Sequence, residues 1–211
     1  SNFLFMRVFA AGQHKHDSGE SRSVRKGGNT AMRVITGLAR GRRLETLPGE
    51  ETRPTAERVK EALFSILQFE IEGRRVLDLF AGSGQLGIEA LSRGAAGCVF
   101  VDKNPAAVEV IRRNLRTAGL HEHTQVLAAD AAGYLARRGD RFDIALLDPP
   151  YASGLAAALL EPTAACMNPG GVIVCETDAA QTLPEQAGMF ELMRVYRYGK
   201  VLLHLYRAPA E

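Results

Sequence analysis

The chain has 211 residues, 24% of them charged and 46% apolar. That fits one α/β domain with a small appendage, and excludes both a disordered chain and two full domains. Net charge is only +2, but from Arg22 to Lys60 ten basic residues face four acids, leaving +6 there and −4 elsewhere. This asymmetry suits a polyanion partner or a solvated basic face.

No apolar run reaches the roughly 18 residues of a membrane span. The N-terminal FLFMRVFAA is too short and interrupted for a signal peptide. Residues 1–31 are polar and rich in glycine and serine, so a flexible extension is expected, with Met32 as a natural start. Residues 32–72 follow as a small N-terminal unit. Short β-prone pieces around Gly37 and Gly41 predict a hairpin, and Pro54 opens a helix with Val59, Leu63, Ile66 and Leu67 on its apolar stripe.

From residue 73 to 211 strands and helices alternate. RRVLDLF, GCVFVD, TQVLAAD, FDIALLD and GVIVCET read as five strands, with helices between them, one of them capped by Asn104-Pro105. ELMRVYRYG and KVLLHLYRA, turning at Gly199, add a closing hairpin and bring the count to seven strands. Repeated βα units predict a mostly parallel sheet with helices on both faces, a Rossmann-like architecture. Cys98, Cys166 and Cys175 are scattered in apolar segments, which predicts reduced, buried thiols.

Ligands of such sheets bind beyond the carboxyl ends of the strands. Asp78 lies near the first strand end, and Asp102, Asp130 and Asp148 close the next three. One acid there is an ordinary helix cap; four on one rim point to a site. Gly82, Gly84 and Gly87 spell the dinucleotide pattern G-x-G-x-x-G, with Asp102 about twenty residues on. Asp102 suits a ribose diol of either NAD or S-adenosylmethionine, and Asp130 suits an adenine amine. Asp78 discriminates, because a carboxylate beneath the loop repels a pyrophosphate and favours an ammonium or sulfonium.

Asp148-Pro149-Pro150-Tyr151 is the most specific tetrapeptide. The prolines fix φ and remove N–H donors, so carbonyls stay unpaired. Asp148 and the Pro149 carbonyl suit the hydrogens of an exocyclic amine, and Tyr151 suits stacking on its ring, worth roughly 1–3 kcal/mol.

With MRVITGLARGRRL, RPTAERVKEALFSIL, VLDLFAGSGQLGIEALSRGA, VDKN and DPPY, the chain from Met32 onward resembles the RsmD family. These are class I S-adenosylmethionine-dependent methyltransferases acting on guanine N2 of small-subunit 16S ribosomal RNA. The resemblance implies that Asp78, Phe80, Ala81, Gly82, Ser83, Gly84, Asp102, Lys103, Asp130 and Ala131 bind the cofactor. It places the flipped guanine at Asp148 to Tyr151 and RNA on Arg33, Arg40, Arg42, Arg43, Arg53 and Arg58. Gln85 stands where the family has a small residue. A cytoplasmic monomer acting on ribosomal RNA within an assembling subunit is implied, with no metal and no membrane.

Three rivals remain. A DNA adenine-N6 methyltransferase shares D-P-P-Y, but no segment is large enough for a target-recognition domain. An NAD-dependent oxidoreductase shares the glycines but lacks a substrate domain and a hydride-site histidine. A non-catalytic RNA-binding module would not need the complete motif set. The pairs His14/His16 and His121/His123 lack further ligands at metal spacing.

Overall fold

The structure is a computed structural model describing residues 32–50, 54–137 and 139–209. The expectations for residues 1–31 and for Arg53 lie outside the described residues.

Five strands run in the order of the βα alternation: β1 (Arg75–Leu79), β2 (Gly97–Asp102), β3 (Thr124–Ala128), β4 (Phe142–Leu147) and β5 (Met167–Asp178). They are mutually parallel and are joined through α2 (Gln85–Ser92), α3 (Pro105–Ala118), α4 (Ala131–Leu135) and α5 (Leu155–Ala164). α1 (Pro54–Ile66) precedes them. The hairpin of β7 (Phe190–Tyr198) and β8 (Val201–Arg207) turns at Gly199, whose φ of +61° suits glycine, and β8 pairs antiparallel with β5.

The sheet has eight strands rather than seven, in the order β3-β2-β1-β4-β5-β8-β7-β6. The extra one is the two-residue β6 (Gln186–Ala187) at the edge; two residues carry no legible period. β5 also starts earlier than expected. Asn168-Pro169-Gly170-Gly171 reads as a breaker, yet it lies within the strand, at the register shift opposite Phe142 and Ile144, since a bulge tolerates proline and glycine.

Strands buried on both faces divide the core in two. Val76, Phe100, Ile144 and Val174 face α1, α2, α3 and the N-terminal segment, while Leu77, Val99, Ala145 and Ile173 face α4 and α5. Gly87 is the contact point of α2 with the sheet. A Cβ there would meet the Phe100 ring at 2.3 Å, so the third glycine of the motif serves helix packing.

The expected N-terminal hairpin is present in short form, one antiparallel bridge from Arg33 to Arg43 flanked by backbone bonds from Leu44 to Met32, Val34 to Arg42 and Gly41 to Val34 at 2.7, 3.0 and 2.9 Å. Side chains from α2 and α3 anchor it to the rest of the domain. Glu89 accepts from the Ile35 and Thr36 amides at 2.8 and 3.0 Å, and Ser92 Oγ accepts from Ala39 and donates to the Thr36 carbonyl. Asn114 accepts from the Glu45 amide and donates to the Glu45 and Ser83 carbonyls. A Cβ on Gly37 would lie 1.8 Å from the Ser92 carbonyl oxygen, so glycine is what lets the loop reach α2.

Candidate functional site

The carboxyl ends of β1 to β5 open on one rim. A cleft of about 510 Å³ there is bordered by Phe80, Asp102, Asp130, Asp148, Tyr151 and Glu176. A second cavity of about 200 Å³ lies on the glycine-loop side, lined by Asp78, Ser83, Lys60 and Gln85. The two share Glu50, Phe80, Gly82, Asp148 and Glu176 and form one two-chambered site.

The loop between them is conformationally costly. Phe80 has a φ of +61°, a left-handed conformation that costs a side-chain-bearing residue roughly 1–2 kcal/mol. Gly82 and Gly84 follow at +55° and +83°. A Cβ on Gly82 would lie 2.1 Å from a Glu50 carboxylate oxygen, so bare backbone faces the cleft. Gly84 caps α2 without a side-chain bond, leaving amides and a positive dipole end at the loop.

Asp78 is 1% exposed; its Oδ2 accepts from the Gly87 amide at 2.9 Å. Burial pushes its pKa up to about 7, opposed by the Gly87 bond and reinforced by Asp102 and Glu50. Asp102 ties the loop to β2, accepting from the Gly82 amide at 2.9 Å through Oδ2 and from Asn104 at 2.8 Å through Oδ1. Each oxygen keeps a second lone pair for a ligand. Asp130 lines the cleft and also caps α4, its Oδ2 accepting from the Gly133 amide at 3.2 Å.

Asp148 leaves β4 where its side chain is open to cleft water yet sits deep among protein atoms. That depth, then Glu176, Asp78 and Glu50, push its pKa well above the usual carboxylate range. Among the described residues nothing donates to the Pro149 carbonyl, whereas the Pro150 carbonyl, expected unpaired, accepts from Ser153 Oγ at 2.6 Å. Tyr151 is 47% exposed, and its hydroxyl donates to Glu176 Oε1 at 2.8 Å.

The sequence reading missed Glu176 and Glu50. Glu176 was legible as the acid near the end of the fifth strand, the same signal that marked the other four. Glu50, in a loop, carried no signal.

Whether these residues fit a sulfonium cofactor can be tested on one atom. Ser83 Oγ is buried in the second chamber with no hydrogen-bond partner among the described residues. A buried hydroxyl without a partner, at the start of α2 and in the chamber that Asp78 also lines, suits the carboxylate and ammonium of an amino acid. The larger chamber offers Asp102 and Asp130 to a nucleoside. The donor set fits.

Arg33, Arg40, Arg42, Arg43 and Arg58 are exposed, and none of them lines either chamber. Ala56, Val59 and Lys60, around Arg58 on α1, line the second chamber. The loop tip near Arg40 is anchored at Ser92, at the far end of α2 and about 10 Å from the glycine loop at 1.5 Å per residue. Lys60, counted with the basic surplus, is buried 3.4 Å from Glu89. Among the described residues no group of three or more His, Cys, Asp or Glu side chains is placed to hold a metal ion, and no helix is long and apolar enough to cross a membrane. Cys98 and Cys175 are buried and Cys166 only half-buried, all free.

Residues 32–207 match the family described as "Conserved hypothetical protein 95". The chain is 41% identical to YlbH of Bacillus subtilis (strain 168) over 181 residues, covering 83% of this chain and 98% of that one. It is 35% identical to ribosomal RNA small subunit methyltransferase D of Escherichia coli (strain K12) over 192 residues, covering 87% and 93%. The solved structure of yhhF from Escherichia coli superposes with a TM-score of 0.77 at 33% identity, covering 86% and 99%.

Proposed function

Because the chain belongs to the family described as "Conserved hypothetical protein 95", the RsmD family of ribosomal RNA small subunit methyltransferases, we propose that it methylates the N2 amine of a guanine in 16S ribosomal RNA with S-adenosylmethionine. The single observation that carries this is the two-chambered cleft, with an unmet Ser83 hydroxyl in one chamber and the D-P-P-Y acceptors in the other.

Ser83, Asp78 and the glycine-loop amides hold the amino-acid end of the cofactor, Asp102 the ribose and Asp130 the adenine. When bound, S-adenosylmethionine supplies a methyl group on a cationic sulfur. The base lies extruded from its stack, since the amine is otherwise out of reach. Asp148 and the Pro149 carbonyl accept the two amine hydrogens, which turns the nitrogen lone pair out of the ring and toward the donor. Tyr151 packs on the ring face. Fixing both reactants lowers the barrier by at most roughly 7–11 kcal/mol, and Asp148 is the acceptor at hand for the departing proton. The exposed arginines hold RNA phosphates, with a cytoplasmic monomer acting on an assembling subunit.

The test offers the pure protein small subunits, naked 16S RNA and duplex DNA with labelled S-adenosylmethionine, followed by nucleoside mass spectrometry. N2-methylguanosine from the RNA or subunits is expected. N6-methyladenine from DNA in its place overturns the reading, as does tight NADH binding in calorimetry with none for S-adenosylhomocysteine.

A further inference from the structure

Resting on that reading, we propose that Glu176 selects guanine, its Oε2 accepting the N1–H of the base whose N2 amine Asp148 holds. β4 and β5 pair in parallel with Leu147 opposite Cys175, so Asp148 and Glu176 are the next residues along two adjacent strands. Both border both chambers. The Tyr151 hydroxyl donates to Oε1 at 2.8 Å, which occupies that oxygen. Oε2 has no hydrogen-bond partner among the described residues. A half-buried carboxylate held on one oxygen with the other facing a cleft is set to receive a donor.

The base edge decides which donor. In guanine the amine sits beside N1–H, giving neighbouring donors that two neighbouring carboxyls satisfy. In adenine and cytosine the amine sits beside a ring nitrogen lone pair. There the carboxylate would face a like partner and lose its bond in a water-poor site, the kind of mismatch by which enzymes reject analogues most strongly. Asp148 and Pro149 would serve any exocyclic amine, so base identity falls to Glu176. Glu176 also holds Tyr151 in place, and the two roles separate experimentally.

Glu176→Gln inverts the reading. Tyr151 keeps the amide carbonyl on its own side, so the amide NH₂ replaces Oε2 and presents a donor where an acceptor stood. The probe is 2-aminopurine, which keeps the 2-amino group but has a lone pair at N1. After the modified nucleotide is mapped with wild-type enzyme, 16S RNA carrying guanine or 2-aminopurine at that position is made by splinted ligation and assembled into small subunits. Wild type, Glu176→Gln and Tyr151→Phe are compared on both substrates. The readouts are initial methylation rates and binding constants with S-adenosylhomocysteine present. Binding of S-adenosylhomocysteine alone checks that each variant is folded.

Wild type is expected to favour guanine at least tenfold in both rate and binding. Glu176→Gln should cut that preference at least tenfold, while Tyr151→Phe lowers rates on both bases and keeps the preference. Unchanged preference in Glu176→Gln overturns the selection role. If wild type makes no N2-methylguanosine on guanine-containing subunits, the function reading itself fails, a result distinguishable from that one.

Discussion

Asp78 on β1 and Glu89 on α2 are both buried acids, 1% and 0% exposed, and the fold treats them in opposite ways. Glu89 is satisfied from every side, by two loop amides, by Arg93 Nε at 3.0 Å and by the Lys60 ammonium at 3.4 Å. Burial pulls the Lys60 pKa down, and Glu89 pulls it back up. Asp78 has one amide and, for charged neighbours, other acids. A buried charge that holds structure is paired. A buried charge left short of partners among like charges marks where a ligand completes the set. Asp148 and Glu176, at the open cleft, are also held above the usual carboxylate range by their depth among protein atoms, and at Asp148 by the neighbouring acids as well.

The contrast can be broken at several points. The largest effect is expected from Asp148→Ala, a drop in turnover of roughly 10²–10⁴ with S-adenosylhomocysteine affinity within threefold by calorimetry. A variant that methylates near the wild-type rate removes Asp148 from the chemistry.

Next, Glu89→Gln should destabilise the protein by about 3–5 kcal/mol in urea unfolding, because it leaves Lys60 buried and uncompensated. Lys60→Met in the same chain should recover part of the loss. No recovery would mean that the loop amides, rather than the ion pair, carry the effect.

Asp78→Asn should move stability the other way. A folded pKa of about 7, above the usual 3.8, gives a contribution that is full below the unfolded value and lost as pH rises through about 7. The cofactor-free variant is therefore expected to gain on the order of 4 kcal/mol at pH 8.5 and nothing near pH 4, while S-adenosylhomocysteine affinity falls at least tenfold. A gain that does not vary with pH would show that the buried charge is not its source.

Smallest, Arg33→Ala and Arg58→Ala should each weaken RNA binding less than tenfold and lower the salt slope by about one. An unchanged slope in both puts the RNA path elsewhere.

Part of this site was legible because its signals are local. Asp78, Asp102, Asp130 and Asp148 each follow an apolar run, and alternation alone puts such positions on one rim. D-P-P-Y states its stiffness in four residues, although the pairing of the Pro150 carbonyl with Ser153 escaped it. The eighth strand was too short to have a period, and the short hairpin of residues 32–44 was legible from its β-prone pieces while its anchorage on Glu89 and Asn114 was not.

The sequence by itself determined the βα alternation, the strand-end acids and the glycine turn, because periodicity, turn chemistry and strand length act within a few residues. Only the tertiary structure decided that Lys60 is buried against Glu89, that Glu176 holds Tyr151, and that Gly87 packs on Phe100. Those facts depend on which strands pair and in what register. Burial and charge neighbourhood then follow from contacts made by residues far apart in the chain, such as Ile35 and Glu89, 54 positions apart.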